Sequence, residues 1–166
     1  MTKYSKIETL NLSKRINKEQ CLVDLDNLII NEGFSGAVPI FIQNEIVLDM
    51  DCVEKIVADE ERRNRNKSMD CVLVIIDSIN STKETLMVEF RFNYINMRNL
   101  DRNALYGKVS GTKINLINEL NTFNEYLFIF NSNMKQQAIN RFRRMIPNLP
   151  INYVVLDIDD LKSRYF

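Results

Sequence analysis

Two apolar runs joined by a short polar segment are the clearest feature of the hydrophobic pattern. Residues 71–76 are apolar without interruption, whereas residues 86–94 alternate apolar and polar side chains over most of their length. A continuous apolar run of this length is typical of a strand buried on both faces, and alternation is typical of a strand with two different faces. The pattern predicts a β-hairpin over residues 69–94, with its loop centred between Asn80 and Ser81.

Helical spacing and turn residues divide the chain before this hairpin. Apolar residues at intervals of three and four predict a helix from about residue 18 to residue 31. Two short apolar runs, 38–42 and 46–48, predict a small hairpin. A second helix is predicted to begin at Asp49 or Asp51, since either side chain can cap a helix N-terminus, and it becomes strongly polar toward its end.

The chain after the long hairpin alternates helical and strand patterns. Residues 96–123 predict either two helices or one kinked helix, because Gly107 and the pair Ser110 and Gly111 interrupt the helical spacing. The remaining predicted elements are, in order, a strand at 126–130, a helix at 134–146, a strand at 153–158 and a polar tail or short final helix at 159–166.

This order of elements predicts an α/β fold with a mixed central sheet flanked by helices. The strand-helix-strand-helix-strand ending implies parallel pairing with right-handed crossovers, and the hairpin adds an antiparallel pair. We find no internal repeat and no linker, so we expect a single domain over residues 1–166. Within it, residues 1–48 are expected to form an accessory helix and hairpin, and residues 49–160 an α-β-β-α-β-α-β core.

The composition limits the chemistry available to the chain. Among 166 residues there is no histidine, which excludes the Ser-His-Asp triad, the Cys-His dyad and the usual zinc sites. Carboxylates, lysine and arginine remain as catalytic groups. The 22 basic and 22 acidic residues balance, so any binding of DNA or RNA has to use a local basic patch.

The cysteines and the length of the apolar runs indicate the environment of the protein. Cys21, Cys52 and Cys71 are odd in number, lack CxxC spacing and have apolar neighbours, so we expect reduced core cysteines rather than a disulfide or a metal site. No apolar run approaches the ~20 residues that span a bilayer. We therefore expect a soluble, cytoplasmic protein with no membrane partner.

Three charged residues of the long hairpin are predicted to lie on one face of the sheet. Strand alternation places Glu89 and Arg91 on the same face, about 7 Å apart. With the loop centred as above, Asp70 is expected opposite Arg91 and diagonal to Glu89, on that same face. Two converging carboxylates beside a cation suit Mg²⁺ or Mn²⁺ and a phosphodiester. The same trio also suits an exposed cross-strand salt bridge.

The hairpin resembles the motif of the PD-(D/E)XK nuclease superfamily. Asp70, followed by the apolar residues 71–74, looks like the Asp strand of that family, and Val88-Glu89-Phe90-Arg91-Phe92 is similar to its Glu-x-Lys strand. The resemblance covers residues 51–158, most of the chain. It implies a restriction-endonuclease-like core with nuclease activity.

The resemblance also implies roles for individual residues. Asp70 and Glu89 would bind Mg²⁺ or Mn²⁺, and Glu60 or Glu61 would match an acid on the leading helix. Arg91 departs from the family pattern, which has lysine there. A guanidinium group stays protonated near neutral pH and cannot act as a base, although it still stabilises negative charge.

A lysine elsewhere could replace the one missing from the motif. Lys108 and Lys113, in the helical region after the hairpin, are the two candidates for the missing amine.

Three further groups of charged residues have alternative interpretations. Arg141, Arg143 and Arg144 lie outside the apolar stripe of their helix, where they suit either solvent or the phosphate oxygens of a nucleic acid. Asp77 and the acidic residues of 157–160 follow strands, where turn and capping roles are common. Residues 157–160 are also a reserve candidate for a metal site.

Two functions follow from these patterns. The first is a magnesium-dependent nucleic-acid phosphodiesterase, either active or catalytically degenerate. The alternative is a non-catalytic protein-binding or immunity-type protein on the same scaffold.

Overall fold

The computed structural model describes residues 2–41, 43–117 and 119–166. Within this part of the chain, seven strands form one mixed sheet that six α-helices flank, which confirms the predicted α/β class. The elements are β1 (Thr2–Tyr4), α1 (Lys6–Arg15), a 3₁₀ turn (Glu19–Cys21), β2 (Leu22–Asp24), α2 (Leu25–Asn31), β3 (Ile46–Asp49), α3 (Met50–Glu61), β4 (Cys71–Asp77), β5 (Lys83–Phe90), α4 (Arg102–Asn115), β6 (Asn121–Ile129), α5 (Ser132–Arg144), β7 (Tyr153–Leu156) and α6 (Ile158–Tyr165).

The sheet has an antiparallel half and a parallel half. Its strand order is β2-β3-β4-β5-β6-β7, and β1 pairs with β4 in addition. All pairs from β2 to β5, and the β1 pair, are antiparallel, whereas β5, β6 and β7 are parallel. Helices α4 and α5 are the crossovers of the parallel half, as the alternation of elements predicts.

Helices cover both faces of the sheet, so β4 is buried on both sides. On one face α1, α3, α4 and α5 pack against the sheet through residues such as Leu12, Val53, Leu105, Ala138, Val72, Val74, Met87 and Phe128. On the other face α2 and α6 pack against it through residues such as Leu28, Leu161, Leu73, Ile75, Leu86 and Leu127. The uninterrupted apolar run of β4 is explained by these two layers.

The register of the β4–β5 hairpin differs by two residues from the prediction. Cys71 pairs with Val88, which aligns Asp70 with Glu89 rather than with Arg91. The Asp77 N–H donates to the Thr82 carbonyl and closes a loop of residues 78–81. This loop is centred between Ile79 and Asn80, one residue earlier than predicted. Since the shift is an even number of residues, Asp70 and Glu89 still share one face.

Asp77 has the turn role that its position after a strand predicts. Its carboxylate accepts hydrogen bonds from the Ile79 N–H and the Asn80 side chain, each at 3.0 Å. Ser81 adopts a positive φ of 55° within this loop. These local bonds fix where the hairpin turns and therefore its register.

The N-terminal region belongs to the main sheet instead of forming an accessory layer. The helix predicted from residue 18 begins only at Leu25, where Asp24 caps it by accepting the Asn27 N–H. Residues 38–41 form no strand and Ile42 lies outside the described residues, so the predicted small hairpin is wrong. Strand β3 pairs instead with β2 and β4, and β1 and α1 precede them without having been predicted.

A disulfide joins two of the three cysteines, contrary to the prediction of reduced thiols. Cys21 in the 3₁₀ turn is bonded to Cys52 in the first turn of α3, with the Cα atoms 5.5 Å apart. Cys71 is free and buried in β4. The two bonded cysteines are 31 residues apart in sequence and become neighbours only when the N-terminal strands join the sheet.

Helix α4 continues through both glycines that were expected to interrupt it. Asp101 caps it by accepting the Ala104 N–H at 2.8 Å. A Cβ at Gly111 would overlap the carbonyl oxygen of Lys67, whereas a Cβ at Gly107 would meet only the Lys67 side chain, at 3.4 Å. Gly111 therefore allows the backbone of the 62–69 segment to pack closely against α4, and it does not break the helix.

The C-terminal elements agree with the prediction except at their ends. Helix α5 ends at Arg144, two residues earlier than predicted, and β7 ends at Leu156. Residues 158–165 form the final helix, one of the two predicted alternatives. None of the helices formed by the described residues is long and apolar enough to cross a membrane.

The two glycines of α4 should respond in opposite ways to alanine. Gly107→Ala should raise the free energy of unfolding by up to about 1 kcal/mol, because alanine is the better helix former. Gly111→Ala should lower it by about 1–3 kcal/mol, because the new Cβ displaces the Lys67 backbone. Urea unfolding of both variants measures the difference. A stabilised Gly111→Ala variant would contradict the close packing described here.

Candidate active site

Asp70 and Glu89 lie side by side at neighbouring strand ends. Asp70 immediately precedes β4 and Glu89 is the penultimate residue of β5, and the register of the two strands aligns them. Both side chains share the face of Val72 and Met87, which α4 covers. They are 5% and 2% exposed, so neither carboxylate is a solvated surface group.

Lys108 of α4 reaches both carboxylates. Its Nζ lies 2.7 and 2.8 Å from the two oxygens of Glu89 and 3.4 Å from Oδ1 of Asp70. Lys113, the other candidate for the missing amine, lies instead over the ring of Tyr126, 4.7 Å from its centroid. The structure therefore brings one of the two candidate lysines into the cluster.

Arg91 contacts the Glu89 carboxylate at the oxygen that Lys108 also contacts, Oε1. Its Nε lies 2.9 Å from Oε1 of Glu89. Its Nη1 donates a hydrogen bond to the hydroxyl of Tyr94 at 3.0 Å, and the guanidinium lies 5.3 Å from the centre of that ring. Arg91 is thus held beside Glu89, and it makes no ion pair with Asp70 among the described contacts.

Backbone and side-chain bonds from three elements hold Asp70 in place. The Phe90 N–H donates to Oδ2 of Asp70 at 2.6 Å, and the backbone carbonyl of Asp70 accepts the N–H of Met50, the first residue of α3. The preceding residue, Met69, donates its N–H to the hydroxyl of Thr112 in α4. The position of Asp70 is therefore set by β5, α3 and α4 together.

A buried carboxylate fixes the segment that leads to Asp70. Glu54 of α3 is 2% exposed and accepts hydrogen bonds from Arg63, Asn115 and the Asn66 N–H. Burial raises the pKa of Glu54, but these hydrogen bonds outweigh burial and the net pKa is lowered. Glu54 thus links α3, the 62–69 segment and α4.

The structure does not bring Glu60 or Glu61 to the carboxylate pair. Glu60 pairs with Lys18 at 3.2 Å, and Glu61 pairs with Arg63. Both lie at the end of α3, whereas the beginning of that helix contacts Asp70. At 1.5 Å of rise per residue, Glu60 is ~15 Å farther along the helix axis. Both side chains are also largely exposed.

Two other acids, Glu32 and Asp51, interact electrostatically with Asp70, and neither was predicted as a site residue. Burial raises the pKa of Glu32, at the end of α2, to about 7, and the charges of Asp70 and Asp51 add to the effect. Asp49 caps α3 through the Cys52 N–H, and Asp51 accepts a hydrogen bond from Ser68. Glu32 is therefore the acid from an earlier helix that lies near the pair.

The electrostatics of the pair are dominated by burial. Burial and the neighbouring Asp70 raise the pKa of Glu89 to about 8, although Arg91 and Lys108 act against the shift. Burial likewise raises the pKa of Asp70, opposed by Lys108 and by the Phe90 N–H. Burial alone would lower the pKa of Lys108, but the two carboxylates outweigh it and raise the net pKa. Shifts of this kind in a cluster of charges are typical of functional sites.

The donor atoms of the pair fit a divalent cation with two protein ligands. Within the described residues, no group of three or more His, Cys, Asp and Glu side chains could hold a metal. Mg²⁺ commonly uses one or two carboxylates and completes its shell with water and substrate phosphate. The Lys108 ammonium lies between the carboxylates of Asp70 and Glu89, so a metal would compete with it for the same oxygens.

The C-terminal acidic residues form a helix cap. Asp157 and Asp160 exchange side-chain to backbone hydrogen bonds in a capping box at the start of α6, and Lys135 pairs with both carboxylates. Asp157 thus has the capping role that its position predicts.

The three arginines of α5 separate into two groups. Arg141 and Arg144 line the same two surface clefts, next to the beginning of α4. Arg143 lines a different, apolar groove with Phe142 and Tyr153.

Comparison of the chain with known proteins found no matching family model, no matching curated protein and no matching solved structure. A relationship to PD-(D/E)XK nucleases therefore stays a prediction from the motif residues.

The raised pKa of Glu89 predicts how stability depends on pH. Because the folded state binds the Glu89 proton more tightly than the unfolded state, the free energy of unfolding should fall as pH rises from about 5 to about 8, by up to 1.4 kcal/mol per pH unit. Glu89→Gln should flatten this slope, whereas Glu84→Gln, on the same strand, should leave it unchanged. Urea unfolding at several pH values measures it. Equal slopes in wild type and Glu89→Gln would contradict the assignment.

Proposed function

We propose that the protein is a metal-dependent phosphodiesterase acting on nucleic acid. The observation that carries the proposal is the position of Lys108, whose Nζ lies within 2.7–3.4 Å of both Glu89 and Asp70. Two acids at neighbouring strand ends and an amine that reaches both are the groups that the PD-(D/E)XK motif requires. Lys108 supplies from α4 the amine that Arg91 cannot supply.

Asp70 and Glu89 are the residues that would hold Mg²⁺ or Mn²⁺. When bound there, the metal would polarise the phosphodiester and activate a water molecule. The Phe90 N–H donates to the Asp70 carboxylate and leaves its other oxygen toward Lys108. This bond orients Asp70 before any ligand binds.

The two cations stabilise negative charge that develops on a phosphate. Lys108 carries a raised pKa and therefore stays protonated at neutral pH, so it acts as a charge stabiliser and not as a base. The guanidinium of Arg91 contributes a second positive charge beside Glu89. Preorganised charges of this kind are most effective where water is excluded, as it is around these buried carboxylates.

A non-catalytic function is favoured by one feature of the same cluster. When both acids are ionised, the two cations Lys108 and Arg91 balance Asp70 and Glu89, so the cluster can also serve only to hold α4 on the sheet. In that case the protein would be a protein-binding or immunity-type protein on this scaffold. Removal of one partner from a buried ion pair costs about 3–5 kcal/mol whether or not the pair is catalytic.

Metal binding separates the two functions. Calorimetric titration with Mg²⁺ and with Mn²⁺ should show binding to the wild type that is lost in Asp70→Asn and in Glu89→Gln. Both substitutions keep the size of the side chain and remove its charge. Thermal unfolding of each variant shows whether it is folded at the titration temperature. Equal binding by the wild type and both folded variants, or none by the wild type, would overturn the phosphodiesterase proposal.

Lys108 should affect cleavage and metal binding in opposite directions. Lys108→Met should reduce cleavage of plasmid, single-stranded DNA or RNA by about 100-fold or more, since it removes a charge stabiliser. Metal binding should be retained or tightened, because the ammonium no longer competes for the carboxylates. Lys113→Met, in the same helix, is the matched control and should keep wild-type cleavage. A purely structural Lys108 would leave any cleavage by the folded variant unchanged.

A further inference from the structure

Four arginines converge where α4 begins and α5 ends. Two adjoining clefts, of about 410 and 350 Å³, are both lined by Arg141 and Arg144. Arg98 lines the first cleft and Arg102 the second. We refer to these four arginines and the two clefts as the arginine cleft.

The arginine cleft carries a net positive charge, since four arginines and one acid, Asp101, line it. Among the described residues, none of the four arginines forms an ion pair with a carboxylate, although the chain contains 22 acidic and 22 basic residues. Asp101 also lines the second cleft, but its carboxylate caps α4 through the Ala104 N–H. The net charge of zero therefore conceals a local basic patch.

Two of these guanidinium groups have buried donors without partners. Arg102 donates from Nη2 to the hydroxyl of Tyr106 and lies 4.5 Å from that ring, and Arg141 donates from Nη2 to the Leu100 carbonyl. The Nε atoms of both arginines are buried and have no hydrogen-bond partner among the described residues. The bonds from Nη2 hold both guanidinium groups at the clefts that they line, where their charge is available to pair with an anion.

We propose that the arginine cleft binds neighbouring phosphates of a nucleic-acid backbone, an inference that rests on the proposed phosphodiesterase function. The guanidinium group of arginine can donate two parallel hydrogen bonds to two oxygens of one phosphate group. The two clefts share Arg141 and Arg144, so each can take one of two successive phosphates. Asn96, Gln137 and Asn140 line the first cleft and add polar contacts of the kind that backbones receive.

The composition of the arginine cleft argues for backbone contacts without base recognition. No aromatic side chain lines either cleft within the part of the chain described, so there is no surface on which bases would stack. Arg102 opens the helix whose Lys108 reaches the carboxylate pair. The two residues are separated by ~9 Å along the helix axis. One nucleic-acid strand can therefore reach both places.

The test measures binding of a fluorescein-labelled single-stranded 20-nucleotide DNA by anisotropy, in EDTA, over a series of salt concentrations. The variant Arg141→Gln with Arg144→Gln should bind at least ten-fold more weakly than wild type. The slope of log affinity against log salt should also fall by about 1.4, since each phosphate contact on a single strand contributes ~0.7. The control, Arg143→Gln with Arg15→Gln, removes the same charge outside the cleft and should bind as wild type does. Arg144→Gln alone, at an exposed position, keeps the test valid if the double variant does not fold.

Metal-free binding separates this inference from the phosphodiesterase. Loss of DNA binding in the cleft variants, together with no metal binding by the wild type, would support the arginine cleft and reject the enzyme. Metal binding by the wild type, together with equal DNA affinity in the cleft and control variants, would support the enzyme and reject the arginine cleft. No DNA binding by the wild type would also overturn the cleft proposal. A poly-glutamate peptide that binds with the same affinity and the same arginine dependence would reassign the cleft to an acidic protein partner.

Discussion

The structure depends on two carboxylates that are buried side by side. Asp70 and Glu89 repel each other and have lost most of their contact with water, which is costly unless cations lie beside them. Arg91 comes from the same strand as Glu89, but Lys108 comes from α4. The packing of α4 on the sheet is therefore part of what allows the hairpin to carry two buried acids.

The position of α4 is itself fixed by the segment that precedes β4. Gly111 allows the Lys67 backbone to approach the helix, Thr112 binds the Met69 N–H, and Asn115 donates to the buried Glu54. These contacts tie α4 to α3 and to the strand that Asp70 opens. Because the beginning of α4 also contributes to the arginine cleft, one helix links the carboxylate pair to the proposed backbone-binding surface. A change in the tilt of α4 would disturb both.

Much of the fold could be predicted from the sequence, because periodicity is a local property. The continuous run of β4, the alternation in β5 and the strand-helix order after them correctly predicted a mixed sheet flanked by helices. The predictions failed where elements depend on distant partners. Strands β1 and β2 have three residues each and weak patterns of their own, so neither was predicted. Strand β3 was predicted, but with residues 38–42 as its partner, whereas it pairs with β2 and β4. The Cys21–Cys52 disulfide follows from that arrangement.

At the candidate site, the sequence alone determined that Asp70 and Glu89 lie on the same face of the hairpin. Side chains alternate with a period of two, so any register shift by an even number of residues keeps them on that face. Only the structure decided that these two acids oppose each other, because the hydrophobic pattern does not specify where the 78–81 loop turns and hence which register the strands adopt. It also decided that Lys108 contacts both of them and that Glu32 is the nearby acid from an earlier helix. Those contacts join residues that are 19 to 38 positions apart, and local periodicity carries no information on how separate elements pack.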